Sequence, residues 1–167
     1  MANKIGEMQI NKQSAERFDK LLSEVQHVHK IEFPNTVVKN GARDLVFSLV
    51  AVTPMAKLGR LRTAHARRGR GFAKAGWGVS MVGLGKMPRS TIFAPDSKRP
   101  ASWVQFGSFQ SNLNNRDRPH VIMSNEVPYI EEMEGSSSIV PMAYEHASNK
   151  IEKRLNQHAA RIRRKFA

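Results

Sequence analysis

The chain has 167 residues, no cysteine, a formal charge of +13, and 40% hydrophobic but only 7% aromatic residues. That length fits one domain with a modest, mainly aliphatic core and residues 1–11 as a lead-in; disulfides and thiolate zinc sites are excluded. An isoelectric point near 10.6 favours a polyanionic partner, nucleic acid ahead of an anionic membrane.

The longest apolar run, residues 45–52, falls far short of the about 20 residues a membrane span needs. No apolar signal region follows Met1, which argues against secretion. From Asn11 onward, Ala15, Phe18, Leu22, Val25 and Val28, with Leu21 beside them, repeat at helical spacing. Asn11 or Ser14 is a candidate N-cap, and Pro34 is expected to end this helix within a few residues. Asn35 or Thr36 then caps a second helix with the stripe Val38, Ala42, Leu45, Leu49 and Val52, stopped before Pro54. Residues 53–77 follow as a basic connector arm. Lys57, Arg60, Arg62, Arg67, Arg68, Arg70 and Lys74 stand there without an acid among them, and four glycines deny the segment a stable helix.

Residues 77–84 are a predicted strand, with Val79, Met81 and Gly83 alternating against Ser80, Val82 and Leu84. Trp77, where the connector meets that strand, is expected to be buried and to anchor the sheet on the helices. Residues 85–118 read as a long loop region, proline-rich at first, with a second strand over residues 101–109 and a polar turn over 112–119. Residues 120–124 are a short β-branched strand. Glu126, Glu131, Glu132 and Glu134 then form the densest acidic cluster of the chain. Gly135 and the serines after it predict a turn that can cap a helix, and Pro141 falls in the first turn of the last helix. Its stripe is Tyr144, Ala147, Ile151, Leu155, Ile162 and Phe166, and its end is cationic, which suits a helix C-terminus. The expected fold is α+β: two N-terminal helices, a small antiparallel sheet, a C-terminal helix packed on one sheet face, and a long basic loop.

The chemistry-bearing residues point to binding. Guanidinium groups fork onto phosphate oxygens, and such contacts give affinity without sequence information. No recognition-helix or zinc-finger pattern accompanies the seven cations, so double-stranded DNA held without sequence preference is the expected partner. His27 and His29 project to different helix faces, a poor metal geometry, and no His-Glu-x-x-His pattern exists. Pro95-Asp96-Ser97-Lys98 echoes one nuclease class but supplies one aspartate where two must converge on a metal. Gly83-Leu84-Gly85-Lys86 ends in Met87 where a phosphate-binding loop needs Ser or Thr, and Gly76-Trp77-Gly78 lacks the third glycine of a dinucleotide fingerprint. The sequence reads as non-enzymatic, without metal or cofactor.

Three features together carry a resemblance. A helix ends in Thr53-Pro54 and a basic connector runs to Gly76-Trp77. Asn125 is followed by Pro128-Tyr129-Ile130 and Glu134-Gly135-Ser136. A helix after Pro141-Met142 closes the chain. In this the chain resembles the tail-completion and neck proteins of tailed bacteriophages. Members often carry Thr-Pro-x-x-Thr-Gly before a Gly-Trp or Asn-Trp, and Asn-x-x-Pro-Tyr-x-x-x-x-Glu-x-Gly-x-Ser. The likeness covers roughly residues 36–160, with a longer connector here and no Thr-Gly after Thr53-Pro54.

The resemblance implies a structural virion protein, made in the host cytoplasm, that forms a homo-oligomeric ring between head connector and tail. Its partners would be itself, other neck or tail proteins and DNA in the channel. In such a ring Glu126, Glu131, Glu132 and Glu134 would meet a neighbour's Arg60, Arg62 or the cations of residues 161–165, head to tail. Asn125, Pro128, Tyr129 and Trp77 read as scaffold. The rival class is a non-viral basic nucleic-acid-binding module of ribosome-associated type. A membrane-surface protein ranks third, since no helix joins a basic face to a broad apolar one.

Overall fold

The computed structural model describes residues 12–55, 70–95, 106–115 and 118–166. Its dominant element is one helical run over residues 12–52. It comprises α1 (Lys12–His27), two π-helical stretches (Val28–Glu32 and Pro34–Val38) and α2 (Lys39–Val52). Pro34 does not end the helix as the sequence suggested. An internal proline lacks an amide and crowds the carbonyl one turn back. Here the turns on both sides widen, Phe33 N–H bonding Val28 O and Lys39 N–H bonding Pro34 O, which makes room for the ring. Complete burial of Pro34 holds it there.

Asn35 and Thr36, expected as N-caps, point their side chains backward instead. They donate to Ile31 O at 2.9 Å and to Glu32 O, using carbonyls near the widened turns. The end of α2 is as expected: Thr53 turns extended, at φ −60° and ψ 122°, ahead of Pro54. On the N-terminal stripe Val28 is buried, whereas Leu21, Leu22 and Val25 are about half exposed.

After the connector come α3 (Phe72–Ala75), α4 (Gly78–Gly83) and α5 (Ser90–Phe93). The strand expected over residues 77–84 is therefore largely a helix. Trp77, Met81 and Leu84 are all buried, an i, i+4, i+7 pattern that wins over the alternation of Val79, Met81 and Gly83. Gly83 serves a close approach: a Cβ there would stand 2.1 Å from the Phe109 ring of the sheet. The expected loop region 85–118 is not loop throughout, because α5 sinks Phe93 fully into the core.

The sheet has two antiparallel strands, β1 (Gly107–Asn112) and β2 (His120–Asn125), with Gly107 opposite Asn125 and Asn112 opposite His120. β2 matches the expected strand to within a residue. β1 runs past residue 109 and takes in Asn112, while residues 101–105 lie outside the described residues. Phe109, Val121 and Met123 pack on the core from one face, and Ile122 on the other is half exposed.

The turn expected near Gly135 is mostly helix: α6 (Ile130–Ser137) and α7 (Ile139–Phe166) are separated by Ser138 alone, at φ 46°. Pro141 does fall in the first turn of α7. That helix lies mainly along α2 and not on the sheet. Gly41 faces Ile151, and further along the pair Phe33 meets His158 with ring centroids 5.7 Å apart, so the two helices run antiparallel. A two-stranded ribbon offers less surface than a second long helix on which to bury an apolar stripe. The buried row is Ile139, Ala143, Ala147 and His158, while Tyr144, assigned to it by periodicity, is 63% exposed. The fold class is α+β, its core shared by α2, α3, α4, α5 and the start of α7.

Candidate nucleic-acid interface

The connector leaves the core at Thr53 and returns at Arg70, and the structure pins the two ends together. Thr53 closes α2 with its backbone N–H on Leu49 O at 3.0 Å and its hydroxyl on the same carbonyl. The hydroxyl oxygen accepts from Trp77 Nε1 at 3.0 Å. Thr53 is 1% and Trp77 5% exposed, and a buried indole N–H needs such an acceptor. On the return side, Gly71 starts α3 from φ 84°, and Lys74 Nζ donates to Ala51 O at 3.2 Å, a cation at the carbonyl end of α2.

Asn125, at the end of β2, completes this joint. Its Nδ2 donates to Ala73 O at 2.8 Å and its Oδ1 accepts from Val127 N–H at 3.2 Å, turning the chain as an Asx residue does. Gly76 lies against that amide: a Cβ there would be 2.1 Å from Asn125 Oδ1, so only glycine fits. The Tyr129 ring stands 6.3 Å from that of Phe72, and Pro128 is exposed beside it. Thr53 was legible as a helix stop, but its role as the acceptor for Trp77 was not.

The expected DNA-facing cations divide. Lys57, Arg60, Arg62, Arg67 and Arg68 lie outside the described residues. Arg70 is half-buried immediately before Gly71, and Lys74 is engaged with α2.

The acidic cluster divides as well. Glu134 accepts from Val140 N–H with both carboxylate oxygens, at 3.2 and 3.1 Å. It thereby caps α7, the task the sequence assigned to the serines, and favours the positive end of the helix dipole. Glu126 accepts from Ser124 Oγ at 2.9 Å. Glu131 and Glu132 are exposed in the first turn of α6, and they are the pair best placed to meet another molecule.

One ion pair was not read from the sequence. Arg154 on α7 donates through Nε and Nη2 to the two oxygens of Asp44 on α2. The hydrogen bond to Asp44, helped by its charge, pushes the Arg154 pKa up against a desolvation effect. A single acid between the apolar positions of α2 was the available signal.

Among the described residues no group of three or more His, Cys, Asp or Glu is placed to hold a metal, and no helix is long and apolar enough to cross a membrane. Compared with family models, curated proteins and solved structures, the chain matches none.

Proposed function

We propose that the protein is a non-enzymatic structural component of a bacteriophage virion. Its subunits form a homo-oligomeric ring that joins or completes the tail at the head, with the basic connector turned toward DNA. The observation that supports this reading best is how the motif residues use one another. Thr53, Gly76-Trp77 and Asn125 come from two separate stretches of the resemblance and share one joint. Glu134 binds the start of the helix that forms the third. That Thr53-Trp77 and Gly76-Asn125 meet in the fold is what supports reading them as one motif.

The joint also supports a binding role for the connector. Because Thr53 and Trp77 are locked together, the segment between them can carry its cations to a polyanion without unravelling the core. Phosphate contacts of that kind need no base recognition, as a channel passing any DNA sequence requires. Across the ring, Glu131 and Glu132 would offset a neighbour's excess positive charge, which otherwise opposes assembly of subunits at +13 each. Other neck or tail proteins would cover the ring's two faces.

Light scattering on protein stripped of nucleic acid tests this reading. A single oligomeric species of fixed mass, binding duplex DNA of unrelated sequences alike, is the expected result. A monomer that prefers RNA would overturn it and favour the ribosome-associated module.

A further inference from the structure

The connector is not the only concentration of positive charge. On α7, Lys150, Lys153, Arg161 and Arg164 are all exposed. At about 100° per residue they fall within an arc of about 80°, and they span about 21 Å of helix axis. The two acids of that helix, Glu145 and Glu152, lie on a different side by the same geometry. Among the described residues this flank is therefore cationic without an ion pair, apart from Arg154, which Asp44 holds.

The flank also borders a polar niche. Thr36 and Asn40 on the long helix and Arg154, Gln157, His158 and Arg161 on α7 surround a space of about 130 Å³, roughly four times the share of a water molecule in the liquid. The niche is built, not incidental. Asp44 takes two N–H groups of Arg154, which fixes the guanidinium and leaves its other donors available. Asn40 is held by Thr36 O at 3.1 Å and by Arg43 Nη1 at 3.0 Å. His158 is 7% exposed, with Nδ1 3.5 Å from Thr36 Oγ1.

We propose that this flank is a second seat for nucleic-acid backbone, with one phosphate at the niche beside Arg154, Gln157 and Arg161 and its neighbours along Lys150, Lys153 and Arg164. A fixed guanidinium beside a small polar recess suits a tetrahedral anion. Four exposed cations spread over about 21 Å suit several phosphates of one backbone strand. The surface is built from residues outside the connector. It shares with the reading above the nucleic-acid partner but not the ring, so either can fail alone.

The test is the salt dependence of binding to an arbitrary duplex, measured by fluorescence anisotropy on the full chain. Lys150, Lys153, Arg161 and Arg164→Gln together should reduce the slope of log K against log salt by up to about 3.6, each phosphate contact contributing about 0.9. Their circular dichroism should match the parent, since all four are exposed. Net charge alone is controlled by a pair of single variants. Gln157→Glu, at the niche, should weaken binding several-fold more than Asn156→Glu, which places the same charge about 100° further round the helix.

Equal effects of that pair, or an unchanged slope in the fourfold variant, would overturn the proposal. An unchanged slope with a lost oligomer would assign the flank to the subunit seam. Binding of phosphatidylserine vesicles in preference to duplex DNA would likewise overturn it, by making the seat a membrane contact.

Discussion

Replacing Trp77 tests whether the joint at the root of the connector holds the molecule together. The side chain is 5% exposed, and its Nε1–H is committed to the Thr53 hydroxyl, itself 1% exposed. Truncating a buried Trp to Ala costs about 3–5 kcal/mol. Thr53 Oγ1 would also lose its donor in a site closed to water, which adds about 1 kcal/mol and puts Trp77→Ala toward the upper end. Trp77→Phe separates the two contributions. It keeps most of the packing and forfeits the hydrogen bond, for an expected loss of about 1–3 kcal/mol. Urea unfolding followed by far-ultraviolet circular dichroism measures both, at one fixed protein concentration because association adds to apparent stability. Combined with Thr53→Val, the Phe variant should show a coupling of about 1 kcal/mol. A Trp77→Ala protein as stable as the parent, or strict additivity in the cycle, would refute the joint as the structural anchor.

Arg67, Arg68 and Arg70→Ala should lower the salt slope of DNA binding by up to about 2.7, at about 0.9 per phosphate contact, for every duplex sequence tried; an unchanged slope would give the connector to a protein partner. Gly76→Ala should destabilise by about 1–3 kcal/mol, the usual cost of overpacking, because the new Cβ meets Asn125 Oδ1. Asn125→Ala in the same chain should relieve part of that loss in thermal melts, and no relief would mean the clash is not the cause. Glu131 and Glu132→Lys should abolish assembly in light scattering while the circular dichroism stays that of the parent. Survival of the parent oligomer at moderate salt would assign the acidic pair to a different neck or tail protein.

Local chemistry made some elements legible in the sequence. Pro54 after a helical stripe marked the end of α2, a β-branched run marked β2, and Pro141 marked the first turn of α7. Where two periods fitted one stretch, the sequence misled. Residues 77–84 alternate acceptably as a strand, and the deciding facts lie elsewhere in the chain: the Phe109 ring filling the space over Gly83, and a core that takes Trp77, Met81 and Leu84 together. Pro34 misled for a similar reason, since widened turns and a buried ring are tertiary matters.

The candidate site was legible as composition and not as geometry. Seven cations without an acid are evident in residues 57–74, but nothing local says that Lys74 is tied to Ala51 or that Glu134 caps α7. Pairs such as Trp77 with Thr53 and Asn125 with Ala73 join positions that only the folded chain brings together. The cationic flank of α7 was within reach of periodicity. It lies on a different side of the helix from the apolar stripe that dominates the pattern.

Electron microscopy of the purified, nucleic-acid-free protein is the decisive test of a closed ring with DNA at its basic surface. Annular particles of uniform subunit number, with a lumen wide enough for duplex DNA, are the expected result. Monomers at every concentration and salt tried, or open filaments of indefinite length, would contradict it.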